Sequence, residues 1–245
     1  RGGTGKSNMT ANIAACATQQ GKRVAVLDTD LQSPGIHVLF GYDHEKINLT
    51  LVDFLWGKCD IVDTVYDVTS TIMPDGDGGE GKCWLVPASL STQAISRILD
   101  EGYDVQRLNT HFDELMAEYD LDLLMIDTHP GLNRETMLTT AISDSLVLLI
   151  RPDQQDYYGS AVLIEVANKL ELPNVFLVAN KVFSGINEGA LRDRLQEAFG
   201  YDVIGMIPLS EDLARTGSKD LFVLKHPDHL ISHEIRAITQ RLLDT

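Results

Sequence analysis

The sequence predicts an α/β fold: a doubly wound, mainly parallel sheet flanked by helices. Three observations carry this. Short apolar runs alternate with stretches of helical periodicity along the chain. The runs are apolar throughout rather than at every second residue, as strands covered on both faces are. The runs 23–28 and 121–127 both stop at an acid, and alternation of such strands with helices builds crossover units and a parallel sheet.

In order along the chain, Lys6 to Gln20 reads as a helix ended near Gly21, and Arg23 to Asp28 as a short strand. Leu49 to Trp56 and Ile61 to Tyr66 read as short helices with apolar faces, and 74–81, rich in glycine and aspartate, as a turn. Cys83 to Pro87 is a strand, Gln93 to Tyr119 supplies one or two helices, and Leu121 to Asp127 is a buried strand. Then come a strand at Ser145 to Ile150, a helix at Asp156 to Leu170, a strand at Val175 to Ala179 and a helix at Glu188 to Phe199. A strand at Val203 to Ile207 and a helix at Leu230 to Leu243 close the chain. No repeat or linker interrupts the pattern, so the expectation is one domain over 1–245.

The chain has 245 residues, 44% hydrophobic and 23% charged, an ordinary balance for a globular protein with a sizeable core. No stretch approaches the roughly 18 apolar residues of a membrane helix. The formal net charge is -16, which repels phosphate backbones and anionic lipid heads and argues against binding DNA or a membrane surface. Cys16, Cys59 and Cys83 are far apart and form no CxxC. Isolated small hydrophobes in a reducing, cytoplasmic setting are the plain reading.

Gly2-Gly3-Thr4-Gly5-Lys6-Ser7 opens a helix. Glycines let backbone N–H groups turn inward around phosphate oxygens, and a helix N-terminus adds partial positive charge. In such a loop Lys6 reaches the β- and γ-phosphates and the Ser7 hydroxyl ligates Mg²⁺. A strand normally precedes a phosphate loop, so a first strand is expected before Arg1. Asp28-Thr29-Asp30 ends one strand and Asp127-Thr128-His129-Pro130-Gly131 follows another. Ligands of open parallel sheets bind beyond the carboxyl ends of the strands, where an acid can order Mg²⁺ or a water. Phe183 stands where a guanine-binding NKxD motif would place its aspartate, which argues against GTP.

Arg1-Gly2-Gly3-Thr4-Gly5-Lys6-Ser7 resembles the deviant Walker A motif, KGGxGK[ST], of the MinD/ParA family of P-loop ATPases. Thr10-Ala11-Asn12-Ile13-Ala14-Ala15 resembles that family's first helix, 28–35 its switch I, 127–131 its DxxxG switch II, and Val86-Pro87-Ala88-Ser89 a strand end of the same family. The resemblance runs from Arg1 to about Leu209.

It implies a P-loop NTPase that binds ATP and Mg²⁺, closes as an ATP-dependent homodimer, and hydrolyses ATP slowly until an activating or cargo adaptor protein stimulates it. Residues 2–8 (Gly2, Gly3, Thr4, Gly5, Lys6, Ser7, Asn8) would cradle the phosphates. Ser7, Asp127 and Asp30 would serve the metal, with Asp28 supporting it, and Asp30 would orient water. Gly131 would sense the γ-phosphate, and Asn180 and Pro208 would meet adenine. Arg1 departs from the family's signature lysine; its planar fork suits phosphate and could act across a dimer as an arginine finger. The implied output is positioning or partitioning of a cargo. The rivals are a maturation ATPase of the Mrp/CooC type, a nucleotide-binding module without turnover, and a ligase or synthetase of the same superfamily.

Other features take plainer readings. His129 reads as an exposed loop histidine, with proton handling as the alternative. His226, His229 and His233 read as solvated surface rather than a metal site. The stripe Ile231, Ile235, Ile238 and Leu242 reads as core packing, and Trp56 and Trp84 as core or interface residues. Arg151, at a strand end, is a weaker candidate for meeting a partner.

Overall fold

The computed structural model describes residues 3–31, 33–43, 45–74, 79–89, 91, 93, 96, 105–129, 131, 134–216 and 219–245. Arg1, Gly2, Gln32, Pro130 and much of the expected turn and helices within 74–119 lie outside the described residues. The chain packs into two compact units. One is Ser7–His129 with Thr216–Pro227; the other is Arg1–Lys6, Pro130–Arg215 and Asp228–Thr245.

The larger unit is built on a four-stranded sheet of β1 (Arg23–Asp28), β2 (Tyr66–Asp67), β3 (Lys82–Val86) and β4 (Leu123–Asp127), in the order β2-β3-β1-β4. β1 pairs in parallel with β3 and β4, while β2 runs antiparallel to β3. β1 lies inside the sheet, and Val24 to Leu27 are buried, which is why the run is apolar at every position. The helix Lys6–Gln19 buries Ala11, Ala14, Ala15 and Ala17, small residues that let a helix approach closely. It ends as expected at Gly21, whose φ of +84° suits glycine and whose N–H bonds Thr18 O. The core gathers Leu27, Leu51, Phe54, Ile61, Leu115 and their neighbours. Trp84 joins it as a core residue, with the Arg23 guanidinium 5.0 Å above its ring.

The smaller unit holds three parallel strands in the order β5-β6-β7: β5 (Ser145–Ile150), β6 (Asn174–Val182) and β7 (Val203–Pro208). The helix Gln154–Lys169 starts on Asp153, whose side chain accepts from Asp156 N. The helix Glu188–Phe199 starts on Asn187, accepting from Ala190 N, and stops at Gly200 in the left-handed region. The helix Leu230–Leu243 lies against β7, burying Ile231, Ile235 and Ile238 as the stripe predicts.

The α/β class with mainly parallel sheets and flanking helices is thus the observed one. Three local expectations change. Ile61–Thr64 is a short 3₁₀ helix, and Tyr66–Asp67 leaves it to pair with Leu85 and Trp84 as a strand. β6 runs on to Val182, so Asn180 sits within the strand, at an irregularity in its pairing with β7. The short helices Ile36–Leu39, Thr69–Ile72, Arg134–Ala141, Glu211–Thr216 and Phe222–Lys225 were not expected.

Candidate functional site

In the larger unit, β1 and β4 end together. Asp28 and Asp127 are register partners on adjacent parallel strands, and both are buried. The turn after β1 is pinned to β4: Thr29 donates from N (2.9 Å) and from Oγ1 (2.8 Å) to Asp127 O. Asp28 accepts from Asp30 N at 3.0 Å and from Gly35 N at 3.4 Å, which folds 28–35 back over the strand end. Burial pushes the Asp28 carboxyl well above the usual carboxylate range. Repulsion by Asp127 adds to this, and the two backbone N–H groups only partly offset it.

Asp30 Oδ1 accepts from Ser33 N at 3.0 Å and lies 2.8 Å from His129 Nδ1. The reading of His129 as an exposed loop histidine is therefore corrected: its side chain is 23% exposed and bonded to the acid proposed for water. The pairing spans 99 residues of sequence, so no local pattern signals it.

Ser7 sits in the first turn of the helix Lys6–Gln19. Asn8 Oδ1 accepts from Asn12 Nδ2 at 3.1 Å, and Asn12 Oδ1 accepts from Val223 N at 2.9 Å, so this turn is tied into the unit. At the end of β3, Pro87 O and Ala88 O accept from Leu51 N and Val52 N, the first residues of the helix Leu51–Leu55. That strand end therefore serves as a helix anchor.

In the smaller unit the phosphate loop is gripped by its carbonyls. Asn180 Nδ2 donates to Thr4 O at 2.6 Å, and Lys181 Nζ donates to Gly3 O at 2.6 Å. Lys181 N in turn donates to Asn180 Oδ1 at 2.9 Å. Among the described residues no peptide is cis, and in a trans peptide the N–H points opposite the C=O. With the Gly3 and Thr4 carbonyls turned onto β6, the N–H groups of Thr4 and Gly5 point the other way, as a cradle for anionic oxygens requires. Gly3 and Gly5 have φ of +81° and +95°. A Cβ on Gly5 would stand 2.6 Å from Asn180 Nδ2, so glycine is needed for close approach as well as for conformation.

Lys181 was not singled out from the sequence. Its signal in the sequence is only a cation directly after Asn180, and its φ of +58° lies in the left-handed region.

Gly131 has a φ of +115°, consistent with a position that only glycine tolerates. Pro208 ends β7 opposite Val182, near Phe183 and Leu209, which are 57% and 54% exposed. Arg151 is turned inward, bonded to Asp156 through Nε at 2.8 Å and Nη2 at 3.0 Å, so its guanidinium is tied within the unit rather than offered to a partner. His229 caps the helix Leu230–Leu243 through Nδ1 to Ile231 N.

The donor set fits a hard divalent cation. Mg²⁺ takes oxygen ligands and uses one or two carboxylates with substrate phosphates rather than an all-protein cage. Ser7, Asp127 and Asp30 supply hydroxyl and carboxylate oxygens, and no cluster of three or more His, Cys, Asp or Glu suited to a metal occurs among the described residues. No described helix is long and apolar enough to cross a membrane.

Comparison with known proteins agrees with these motifs. An uncharacterized ATP-binding protein of Methanocaldococcus jannaschii is 26% identical over 245 residues, spanning 99% of this chain and 84% of that protein. The antiactivator FleN of Pseudomonas aeruginosa is 24% identical over 99% of this chain and 83% of its own length. An iron-sulfur cluster carrier protein of Pyrococcus abyssi is 23% identical over 90% and 75%. Among solved structures, the septum site-determining protein MinD of Pyrococcus horikoshii, complexed with Mg-ADP, superposes with a TM-score of 0.78 at 20% identity, covering 99% of this chain and 92% of that one. The model of the CobQ/CobB/MinD/ParA nucleotide binding domain matches residues 1–223, and the chain belongs to that family.

Proposed function

We propose that the protein is an ATPase that works as a nucleotide-dependent dimer switch of the MinD/ParA kind. The observation that carries this reading is the loop held by its carbonyls on Asn180 and Lys181, with the Thr4 and Gly5 N–H groups presented for phosphate. Lys6 neutralises the β- and γ-phosphates. The Ser7 hydroxyl, Asp127 and Asp30 would hold Mg²⁺, which would offset phosphate charge as the terminal bond breaks. Asp30 orients the attacking water, and Gly131 N–H binds the γ-phosphate so that its loop is ordered before hydrolysis and released after it. Pro208 faces adenine, Asn180 acts through the loop that its amide clamps, and Phe183 in place of an aspartate favours ATP over GTP. Arg1 reaches the partner copy's nucleotide in place of the family's lysine.

The relatives include proteins of different outputs, so output is argued from the chain itself. A cluster-loading role needs reactive paired thiolates. Cys16 and Cys83 are buried, and burial pushes the Cys83 thiol up to about 12. Positioning of a cyotoplasmic cargo through an adaptor protein is the reading we adopt, with DNA and membrane contact opposed by the charge of -16.

The test is the oligomeric state, by light scattering with ATP and Mg²⁺, of Asp30→Ala and of Asp30→Ala combined with Arg1→Ala. A dimer formed by the first only with ATP, and lost in the second, supports the switch and the role of Arg1. A protein that binds ATP yet stays monomeric in both, or a dimer indifferent to nucleotide, overturns it in favour of a binding module.

A further inference from the structure

Asp30 is held from two directions. Ser33 N reaches Oδ1 from its own loop, and His129 Nδ1 reaches the same oxygen from the segment after β4. A carboxylate oxygen can only accept, so in the 2.8 Å contact His129 Nδ1 is the donor. With Oδ1 taken twice, Oδ2 is the oxygen that can accept from a water without breaking either bond. The pair is largely shielded from solvent, with side chains 12% and 23% exposed, where a hydrogen bond to a charged acceptor is strong. His129 also stands two residues after Asp127, so the bond ties the loop that follows β1 to the loop that follows β4 at their acids.

We propose that His129 is a positioning residue for hydrolysis: its Nδ1–H fixes the Asp30 carboxylate so that the remaining oxygen meets the attacking water. The inference rests on the ATPase reading above and adds a residue to it. It also makes the bond a link between the two loops, so movement of the segment after β4 carries Asp30 with it. A histidine that only filled space would leave Asp30 where Ser33 N puts it.

The experiment is steady-state ATP hydrolysis with Mg²⁺, alongside affinity for a non-hydrolysable fluorescent ATP analogue, for wild type, His129→Ala, His129→Asn, Asp30→Ala and the double variant Asp30→Ala with His129→Ala. Asparagine places an amide N–H near the position of Nδ1. The expected result is a loss of kcat of about tenfold to a hundredfold in His129→Ala, with KM and analogue affinity within about twofold. His129→Asn should recover most of the rate, and the double variant should be no slower than Asp30→Ala. Because His129→Ala could fail to fold, the wild-type imidazole ¹⁵N spectrum provides a second reading. The His129 signal, assigned by its absence in His129→Asn, should show a protonated Nδ1 that shifts in Asp30→Ala. Full kcat in His129→Ala, joint loss of kcat and analogue affinity, additivity in the double variant, or a bare Nδ1 overturns the proposal while wild-type turnover keeps the ATPase reading. Wild type that binds the analogue but never hydrolyses ATP sinks both.

Discussion

At Asn180 a single amide holds two pieces of backbone: Nδ2 bonds Thr4 O and Oδ1 accepts from Lys181 N. The residue is buried, so neither bond is replaced cheaply by water. Asn180→Ala leaves a buried carbonyl and N–H without these partners and should lower stability by about 1–3 kcal/mol. It should also release the loop, raising the KM for ATP by more than the stability loss alone explains. Calorimetry and nucleotide titration check this; an unchanged KM would show that the clamp does not shape the phosphate site. The sequence made the acids legible because each one ends an apolar run, a purely local pattern. Lys181 and His129 were not legible, since their partners Gly3 and Asp30 lie 178 and 99 residues away and only tertiary structure brings them together.

Elements were legible where an unbroken apolar run marks a strand, as in Arg23–Asp28, buried at almost every position, and Ser145–Ile150. They were not where pairing is brief: Tyr66–Asp67 becomes a strand only because β3 lies beside it, and two residues carry no period. Two element-level tests follow from contacts. Gly205 in β7 would place a Cβ 2.3 Å from Ile238 Cδ1, so the helix Leu230–Leu243 packs on the strand only across a glycine. Gly205→Ala should cost about 1–3 kcal/mol by overpacking, and adding Ile238→Val should recover part of it. Additive losses in chemical denaturation would count against direct helix–strand crowding.

The second concerns the start of the helix Leu51–Leu55, where Asp53 Oδ2 accepts from Thr50 N and Oγ1 and Oδ1 accepts from Lys58 Nζ. Burial alone would raise this carboxyl, but the Lys58 and Thr50 bonds outweigh it and hold it below its ordinary 3.8. A depressed folded-state pKa contributes stability that is fully present above the unfolded value and lost as pH falls through the folded one. Asp53→Asn should therefore be less stable than wild type near neutral pH, with the gap closing as pH falls below about 4. A gap that stays constant with pH would assign the loss to packing rather than to the charge.

For the molecule as a whole, the net charge of -16 sets the terms on which two copies can meet. A homodimer formed with ATP must bring like-charged surfaces together, and that repulsion acts over a Debye length of about 10 Å at 0.1 M salt. Raising salt screens it. The ATP-bound Asp30→Ala dimer, measured with saturating ATP and Mg²⁺, should therefore tighten as NaCl rises from about 0.05 M to 0.3 M. The opposite trend is the signature of a complex held by complementary charge, since contacts with polyanions lose affinity steeply with salt. A dimer that weakens with salt would mean that Arg1 meeting the partner's phosphates outweighs the global repulsion. The sign of one salt titration thus decides whether association is governed by the surface as a whole or by the cation at the start of the phosphate loop.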